Sequence, residues 1–419
     1  MRDLCDLNVL YDAYRASLKG SSWKREPEKF EHNWLEECVQ LKHELETQTY
    51  HTSPGIEFEI NERGKKRHIH GVRMRDRVVR HAFCDEILGP CLDPYLIPNN
   101  AGSQKGKGIS YARERFERDL HNYYLEHGNT EGCVGFSDLS KFYDNIRHDI
   151  AKELIGPLTP EKYQWLLDEF LSNMEIDVSY MSDEEYRTCL EQKFNSLEYY
   201  EAIPPELRTG EMMMAKSVNI GDQVSQNIGV FFPHRIDNYV KVVRGVKFYG
   251  RYMDDIYFIC ETKEEAESII DGIREQAESL GLFINEKKTH ISKLTDNYKY
   301  LQIKYRMTET GKVVKRINPK SVTRERRKIK AYKRLLDKGV MPYEDIEQAY
   351  KSWMGSHAHL MSKQQISNMK NLFKDLFGKE PKWKKSKSHS PTRAKSKQRR
   401  TEAATSPIVS QPSLQICPQ

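Results

Sequence analysis

Three aspartates are the residues of this sequence best suited to carry out chemistry. Asp254 and Asp255 are adjacent in KFYGRYMDDIYFIC, between two runs of β-forming residues, and Asp138 follows a short apolar run in GCVGFSDLSKFYDN. Adjacent carboxylates repel each other unless a cation lies between them. Because side chains alternate along a strand, one member of the pair can face a site directly while the other reaches the same site through the turn.

A third carboxylate at the end of a second strand would complete a site for two Mg²⁺ ions, which lie roughly 3.5 to 4 Å apart in two-metal enzymes. We expect Mg²⁺, with Mn²⁺ as a substitute. Such a site performs phosphoryl transfer, since one ion lowers the pKa of an attacking hydroxyl and the other stabilises the departing pyrophosphate. An isolated Asp-Asp pair is also common in ordinary polar turns, so the pair by itself leaves that alternative open.

These carboxylates need a framework of strands and turns, which the hydrophobic pattern predicts. Apolar residues at three- and four-residue spacing predict helices in residues 1–60, and the alternation within residues 63–80 predicts a strand before a helix that starts near Asp76. The further predicted elements are a Gly- and Lys-rich turn at 102–108, a strand at 133–136, a turn at Gly221 before an apolar helix, a hairpin of strands 246–251 and 256–260, a helix ending at Gly281, and a basic helix at 315–338.

Composition excludes several classes of protein. Hydrophobic residues make up 38% of the 419 and charged residues 31%, which is enough to build a core of two or three lobes. No uncharged run approaches the roughly 18 to 20 residues needed to span a bilayer, and the acidic start does not resemble a signal peptide, so we expect a cytoplasmic protein without membrane contact. The eight cysteines include no C-x-x-C pair, which argues against a zinc ribbon and a disulfide framework.

Charge is distributed unevenly. Residues 379–419 carry ten Lys or Arg and two Glu, a net charge of +8, whereas the whole chain has +6, so residues 1–378 are net acidic by two charges. This tail has little to bury and is predicted to be disordered. It is either a solvated extension or an arm that binds phosphate backbones without reading sequence.

The motifs resemble those of reverse transcriptases, in the same order, over about residues 60–340. RYMDD between two β-runs resembles the catalytic hairpin of that family, and FSDLSKFYDNIRHD resembles its first metal-binding strand. The remaining matches are residues 63–80 with the fingers strand and helix, NNAGSQKGKG with the template-contacting fingers turn, IGDQVSQ with the helix-opening turn, GLFINEKKT with the next palm strand, and YKYLQI with the primer-grip hairpin. Gln302 departs from the pattern, because the family usually has Gly there.

This resemblance implies an α+β right-hand polymerase with fingers, an antiparallel-sheet palm and a helical thumb. The expected domains are an N-terminal helical extension (1–60), fingers (61–130), palm with the first metal strand (131–155), an acidic helical insertion (156–215), palm with the YMDD hairpin and primer grip (216–312), a helical thumb (313–378) and a disordered basic tail (379–419).

The same resemblance assigns roles to individual residues. Asp138, Asp254 and Asp255 are expected to bind the metal ions and to be catalytic, and Lys288 is expected to donate a proton to pyrophosphate. The expected nucleotide-binding residues are Lys65, Arg67, Tyr143, Ile220, Gly221 and Gln226, with Ser225 beside Gln226 facing the template. The expected template and primer contacts are Lys105, Lys107, Tyr252, Met253, Arg324, Arg327 and Lys328. For the basic residues a solvated surface position is an open alternative.

Tyr143 bears on the choice of nucleotide. It lies five residues after Asp138, at the position that in this family stacks under the incoming sugar, where an aromatic ring leaves no room for a ribose 2′-hydroxyl. The alternative is a core aromatic. The sequence therefore predicts an RNA-directed DNA polymerase that binds an RNA template, nascent DNA and deoxynucleoside triphosphates, with an accessory protein as a further expected partner.

The biological role is less defined. An aliphatic residue followed by G-x-x-x-S-Q, here beginning at Ile220, resembles the branch of diversity-generating retroelements, and this is the predicted role. The alternatives are a reverse transcriptase of an anti-phage defence system, an RNA-copying RNA polymerase, which Tyr143 disfavours, and a non-catalytic RNA-binding relic, which the three aspartates disfavour.

Overall fold

Short runs of β-branched and aromatic residues form the sheets of this protein, and amphipathic segments form its helices. Its structure is a computed structural model that describes residues 1–62, 64–381 and 383. Two units are distinguished, Met1–Val322 and Thr323–Gln419. Most of the tail predicted to be disordered lies outside the described residues. The described cysteines are all free thiols, and Cys417 lies outside the described part.

The helices and strands follow one another along the chain. The α-helices are α1 (Leu7–Ser17), α2 (Arg25–His32), α3 (Trp34–Glu46), α4 (Met74–Phe83), α5 (Gly89–Leu92), α6 (Ile109–His127), α7 (His148–Ile155), α8 (Glu161–Ser172), α9 (Asp183–Glu191), α10 (Ser196–Ala202), α11 (Gln223–Phe231), α12 (His234–Asn238), α13 (Lys263–Ser279), α14 (Pro319–Asp337), α15 (Tyr343–His357) and α16 (Lys363–Phe377). The strands are β1 (Ile56–Glu62), β2 (Lys65–Gly71), β3 (Cys133–Asp138), β4 (Ile176–Asp177), β5 (Met213–Met214), β6 (Phe248–Tyr252), β7 (Asp255–Cys260), β8 (His290–Lys293), β9 (Tyr298–Tyr300), β10 (Ile303–Met307) and β11 (Val313–Ile317).

A four-stranded antiparallel sheet in the order β6-β7-β3-β8 lies at the centre of the first unit. Every residue of β3 is buried, as expected for a central strand covered by helix α13. Gly135 is required in β3 because a Cβ there would lie 2.1 Å from the ring of Phe258 on β7. The hairpin of β6 and β7 confirms the one predicted around the two adjacent aspartates.

A second antiparallel sheet, in the order β11-β10-β9, follows the central one. The helix predicted from residue 315 begins instead at Pro319, because residues 313–317 form strand β11. Ile317 pairs with Ile303 across this sheet and is buried, and tertiary pairing therefore overrides the local helical pattern. Proline is well tolerated in the first turn of a helix, where its missing N–H is not needed.

The predicted fingers strand and helix are present as β2 and α4. Strand β2 pairs with β1 in an antiparallel hairpin, and α4 begins two residues before the expected start at Asp76. Asp76 itself is buried and accepts hydrogen bonds from the Tyr50 hydroxyl at 2.7 Å and the Ser53 amide at 3.2 Å. The buried Asp76 carboxylate is thus paired within the fold.

The segment predicted as an acidic helical insertion is divided between two cores. Helix α8 packs into the main core through residues such as Leu166 and Phe170. Residues 176–214, called the insert below, surround a small core of their own and include the paired strands β4 and β5 besides α9 and α10. The buried members of that small core are Ile176, Val178, Phe194, Tyr199 and Met214.

The second unit is helical in its described part. Helices α15 and α16 bury Tyr350 and Phe373, whose ring centroids are 4.3 Å apart. Helix α14, which begins just before the unit boundary, buries Ile329 and Glu325 and exposes most of its basic residues. None of the described helices is long and apolar enough to cross a membrane.

Candidate active site

Asp138 and Asp255 are direct partners across β3 and β7 in the central sheet. Asp254 precedes Asp255 in the turn of the β6-β7 hairpin, and its carbonyl accepts a hydrogen bond of 3.2 Å from the amide of Leu139. The three aspartates therefore lie at one end of two adjacent strands, although the first is more than a hundred residues from the others in sequence. This is the convergence that the sequence predicted.

Asp138 is held in place by residues that follow α13. Its side chain is 5% exposed, and one oxygen, Oδ1, accepts a hydrogen bond of 2.5 Å from Lys288 Nζ. The other, Oδ2, accepts one of 3.1 Å from Asn285 Nδ2, and the Asn285 amide also donates to the Asp138 carbonyl at 2.7 Å. Lys288 is thus brought into the predicted site, and Asn285 is a neighbour that sequence reasoning missed.

The electrostatics of the site favour a bound cation. Burial, followed by the charges of Asp254 and Asp138, raises the pKa of Asp255 to about 7. Burial and then the Asp138 charge also raise the pKa of Asp254. Burial works against the charge of Lys288, but the hydrogen bond to Asp138 and the surrounding carboxylates outweigh it, and the Lys288 pKa is raised. A cation would offset the burial and the mutual repulsion that raise the pKa values of Asp254 and Asp255.

The side chains of the three aspartates do not form a ready set of metal ligands in this structure. Among the described residues, no three His, Cys, Asp or Glu side chains form a ready metal-binding cluster. Both oxygens of Asp138 are already engaged by Lys288 and Asn285. The donor set nevertheless fits Mg²⁺ or Mn²⁺, because it consists of carboxylate oxygens on adjoining strand ends. Burial and then mutual repulsion raise the pKa values of Asp254 and Asp255.

A buried ion pair, missed from the sequence, supports the hairpin turn. Arg251 is fully buried and donates to both oxygens of Asp237 on α12, at 2.9 and 2.7 Å. It also donates to the carbonyls of Val230 at 2.8 Å and Met253 at 3.1 Å. Arg251 therefore joins the turn to two helices. The sequence feature that could have indicated this ion pair is an arginine inside an apolar strand.

Tyr252 and Met253 precede the adjacent aspartates. Tyr252 is half-buried at the end of β6, and Met253 occupies the turn with a φ of +56°. A Cβ on Gly102 would lie 2.5 Å from the Met253 sulfur, so this turn contacts the start of the predicted fingers turn. The amide of Ala101 donates to the Arg251 carbonyl at 2.9 Å, which ties the two segments together.

Tyr143 lies between the aspartates and helix α11. It begins the short 3-10 turn Tyr143–Asn145, and its hydroxyl would be 3.3 Å from a Cβ on Gly229 of α11. Burial, followed by the charges of Asp254 and Asp222, raises the Tyr143 pKa. The same Cβ would be 3.4 Å from the Met253 methyl group, so the Tyr143 ring lies beside the turn that carries the adjacent aspartates.

The loop before α11 is anchored by a second buried ion pair. Gly221 has a φ of +95°, a conformation that favours glycine. Asp222 is buried, accepts from the Val224 amide at 3.3 Å at the start of α11, and pairs with Arg80 of α4. Arg80 also donates to Asn173 Oδ1 at 2.8 Å. The pairing of Asp222 with Arg80 was not visible in the sequence, because 142 positions separate the two residues.

The prediction that Ser225 faces the template is wrong. Ser225 is fully buried, and its hydroxyl is 3.3 Å from the sulfur of Met174. The face of α11 that carries Ser225 packs into the core together with Val224 and Ile228. Gln226, one position further along the helix, is half-buried and lines a cleft instead.

That cleft has a volume of about 1140 Å³ and brings several predicted residues together. Ile220, Gly221 and Gln226 line it from the α11 side, and Lys105 lines it from the fingers turn. Strands β1 and β2 contribute apolar side chains, and α4 contributes Arg77. The three aspartates lie outside its lining, so the cleft and the acidic site are separate features.

The basic residues of the fingers differ in their surroundings. Lys65 is exposed and Arg67 is half-buried on β2, and Arg67 forms an ion pair of 3.1 Å with Glu62. The Arg67 charge lowers the pKa of Asp254, against the burial and the Asp138 charge that raise it. Lys107 donates to the carbonyls of Pro98 and Asn100 at 3.2 and 3.1 Å, so in this structure it stabilises its own loop.

The predicted primer-grip turn and the predicted basic helix are both present. Leu301 and Gln302 have φ values of +41° and +73°, so Gln302 adopts a backbone conformation that suits the glycine usual in the resembling family. Arg113 of α6 donates to the Leu301 carbonyl at 3.0 Å. In the second unit, Arg324, Arg327 and Lys328 are exposed on α14.

Comparisons with known proteins identify the kind of domain. The family model described as reverse transcriptase (RNA-dependent DNA polymerase) matches residues 60–305, more than half of the chain. No curated protein matches the sequence. Among solved structures, a telomerase from Candida albicans in complex with a TWJ fragment of telomeric RNA is similar, with a TM-score of 0.41 and 11% identity. That match covers 80% of this chain and 60% of the telomerase chain.

Proposed function

The chain belongs to the reverse transcriptase (RNA-dependent DNA polymerase) family, and from this premise we propose that it copies an RNA template into DNA by adding deoxynucleotides to a 3′-hydroxyl. The family predicted from the motifs is thereby confirmed, whereas the branch of the family stays a prediction. The observation that supports the proposed chemistry best is the direct pairing of Asp138 with Asp255, with Asp254 in the adjoining turn.

We propose that Asp138, Asp254 and Asp255 hold the divalent ions. When bound, Mg²⁺, or Mn²⁺ in its place, would activate the attacking hydroxyl and neutralise charge on the phosphates. Lys288 must then release Asp138 Oδ1, which it contacts at 2.5 Å. A lysine is protonated at neutral pH, so the Lys288 ammonium, once released, has a proton to donate to the departing pyrophosphate.

The incoming nucleotide would lie between β2 and the Tyr143 turn. Arg67 offers a planar guanidinium for the triphosphate, and its charge already acts on Asp254. Lys65 lies two positions away on the same strand. The Tyr143 ring would exclude a ribose 2′-hydroxyl, which favours deoxynucleotides. Ile220, Gly221 and Gln226 would contact the nascent base pair from the α11 loop.

The template strand would enter through the cleft of about 1140 Å³. Lys105, on the cleft wall, would neutralise phosphates, and Tyr252 and Met253 would lie near the primer end. Arg324, Arg327 and Lys328 present exposed charge on α14, which suits binding of a duplex backbone without sequence reading.

A test of the activity uses a synthetic RNA template with a DNA primer. The full chain with Mg²⁺ should extend the primer when given deoxynucleoside triphosphates and should extend it far less with ribonucleoside triphosphates. A protein that extends only with ribonucleotides would be an RNA polymerase, and one that binds the RNA but extends with neither would be a non-catalytic RNA-binding protein. Either result contradicts the proposal.

For the biological role, we propose a diversity-generating retroelement. An aliphatic residue, Ile220, precedes Gly221 where most relatives place a glutamine amide, and the loss of a polar contact there would weaken base discrimination. A defence role is the second candidate, because the insert folds around its own core and exposes the acidic helix α9, which could receive an accessory protein. Sequencing the RNA that copurifies, and the DNA made from it, separates the two: errors concentrated at template adenines support the retroelement, and faithful or repetitive DNA supports defence.

A further inference from the structure

The β1-β2 hairpin buries almost none of its own residues. Every residue of β1 is exposed, and Ile69 is the single residue of β2 that is buried. An isolated two-stranded hairpin is marginally stable in water. The strand that carries Arg67 therefore depends on contacts from elsewhere in the chain to stay in one place.

The insert supplies such contacts through α10. The Tyr200 ring stacks on His68 of β2, with centroids 3.9 Å apart and planes 14° from parallel. The next residue, Glu201, accepts a hydrogen bond of 2.9 Å from Lys66 Nζ. Lys66 and His68 are the two neighbours of Arg67 in sequence, and side chains alternate along a strand. Helix α10 contacts the side chains of both neighbours on one face of β2. The Arg67 side chain therefore lies on the opposite face.

Arg208, also in the insert, strengthens this contact. Its guanidinium lies over the Tyr200 ring, 4.8 Å from the centroid, and 3.7 Å from a carboxylate oxygen of Glu57 on β1. It also donates to the carbonyl of Ile203 at 2.9 Å, which fixes the guanidinium at the end of α10. Both strands of the hairpin are thus connected to the same short helix.

The other end of α10 is attached to the turn that carries Tyr143. The hydroxyl of Ser196, the first residue of the helix, donates to Asp144 Oδ1 at 2.9 Å. The side chain of Asn145 bonds twice to the backbone of Phe194, accepting from its amide at 2.8 Å and donating to its carbonyl at 3.1 Å. Ser196 and Tyr200 are four residues apart, one turn of a helix.

We propose that α10 is a brace that sets the separation between the Tyr143 turn and strand β2, and that Tyr200 is a positioning residue for the incoming deoxynucleoside triphosphate. This inference rests on the proposed function, because it assigns the triphosphate to Arg67 and the sugar to Tyr143. Tyr200 acts through His68 and β2. Its loss should let the hairpin move, so that nucleotide binding weakens while the acidic site keeps its geometry.

The experiment measures KM for one deoxynucleotide and kcat on an RNA template, using the full chain. Tyr200→Ala should raise KM by about tenfold and change kcat by less than about threefold, since misplacement of a binding group weakens binding of the nucleotide. Tyr200→Phe keeps the ring and should behave as the unmodified protein. Tyr186→Ala is the matched control, because Tyr186 packs against the same small core from α9.

Three results would overturn the brace: an unchanged KM in Tyr200→Ala, an equal rise of KM in Tyr186→Ala, or the same loss in Tyr200→Phe. His68→Ala tests the same contact from the side of β2. Because His68→Ala and Tyr200→Ala each remove the same stacking contact, KM in the double variant should rise no more than in the more affected single variant. Additive effects would contradict a shared contact.

Hydrogen exchange of residues 56–71 gives a readout that does not need activity. Tyr200→Ala should speed exchange there, and Tyr186→Ala should not. Unchanged exchange in Tyr200→Ala contradicts the brace even if the protein proves to have another activity. If the unmodified protein makes no DNA on RNA but exchange responds as expected, the proposed function fails and the structural brace stands.

Discussion

Arg251 and Asp237 form a buried ion pair directly behind the turn that carries the adjacent aspartates. The guanidinium meets both carboxylate oxygens, and neither side chain is more than 1% exposed. The Tyr249 hydroxyl donates to the same carboxylate at 2.5 Å. Because Arg251 also donates to the Met253 carbonyl at 3.1 Å, the turn is fixed to this pair by hydrogen bonds from a buried charge.

Removing one partner of this pair should strongly destabilise the protein. Asp237→Ala leaves the Arg251 charge buried without its carboxylate, which costs about 3 to 5 kcal/mol in comparable cases. Urea unfolding should show this loss in the free energy of unfolding. Arg235→Ala, on the same helix, breaks an exposed pair with Glu153 and should cost less than about 1 kcal/mol. Similar losses in both variants would contradict the structural role given to the buried pair.

Tyr143→Ala should admit ribonucleotides. The ring lies beside Gly229 and near Asp254, and its removal opens the space that a 2′-hydroxyl would need. The ratio of kcat/KM for a deoxynucleotide to that for the matching ribonucleotide should fall by about tenfold or more, and Tyr143→Phe should preserve it. An unchanged ratio in Tyr143→Ala would remove Tyr143 from sugar selection.

Gln302→Gly should stabilise the protein. Gln302 has a φ of +73°, and a non-glycine residue in this region carries a strain of about 1 kcal/mol. We expect a gain of up to about 1 kcal/mol in the free energy of unfolding, reduced by the greater freedom of glycine in the unfolded chain. Gln302→Ala keeps the strain and should give no gain. A loss of stability in Gln302→Gly would show that the glutamine side chain makes a compensating contact.

His148 should make the protein sensitive to acid. It is 2% exposed, its Nε2 is 2.6 Å from the Ser217 carbonyl, and burial lowers its pKa to about 4. The unfolded chain, with a histidine pKa near 6.5, binds the proton first as the pH falls, so stability is present above pH 6.5 and is lost between about pH 6.5 and 4.

Between pH 7 and pH 5 this histidine should account for a loss of roughly 2 kcal/mol in the free energy of unfolding. His148→Gln should flatten that part of the pH dependence, and replacement of the exposed His32 by Gln should leave it unchanged. If His148→Gln loses stability with acid as steeply as the unmodified protein, the histidine is not the group responsible.

Local pattern predicted much of the framework around the site. The β6-β7 hairpin could be predicted because both strands are apolar runs around a polar turn. Helix α13 could be predicted from its periodicity and from Gly281 after its end. Asp138 was placed correctly because its strand is short, apolar and followed by turn residues. In each case neighbouring residues in sequence carry the information.

The contacts that hold the site together were not predictable in this way. Arg80 meets Asp222 and Lys288 meets Asp138 across long stretches of chain, and no local pattern specifies such partners. The burial of Ser225 depends on which face of α11 meets Met174. Strand β11 replaced the start of a predicted helix because pairing with β10 outweighs local propensity.

The most direct test of the central claim is single-turnover incorporation of one deoxynucleotide on an RNA template with Mg²⁺. Asp138→Asn, Asp254→Asn and Asp255→Asn keep side-chain size but remove the charge that would hold the ions. Each should slow incorporation by at least about 10² to 10³-fold, whereas Asp271→Asn, at an exposed acid of α13, should match the unmodified protein. A rate equal to that of the unmodified protein in any one of the three variants would contradict the assignment of that aspartate to the catalytic site.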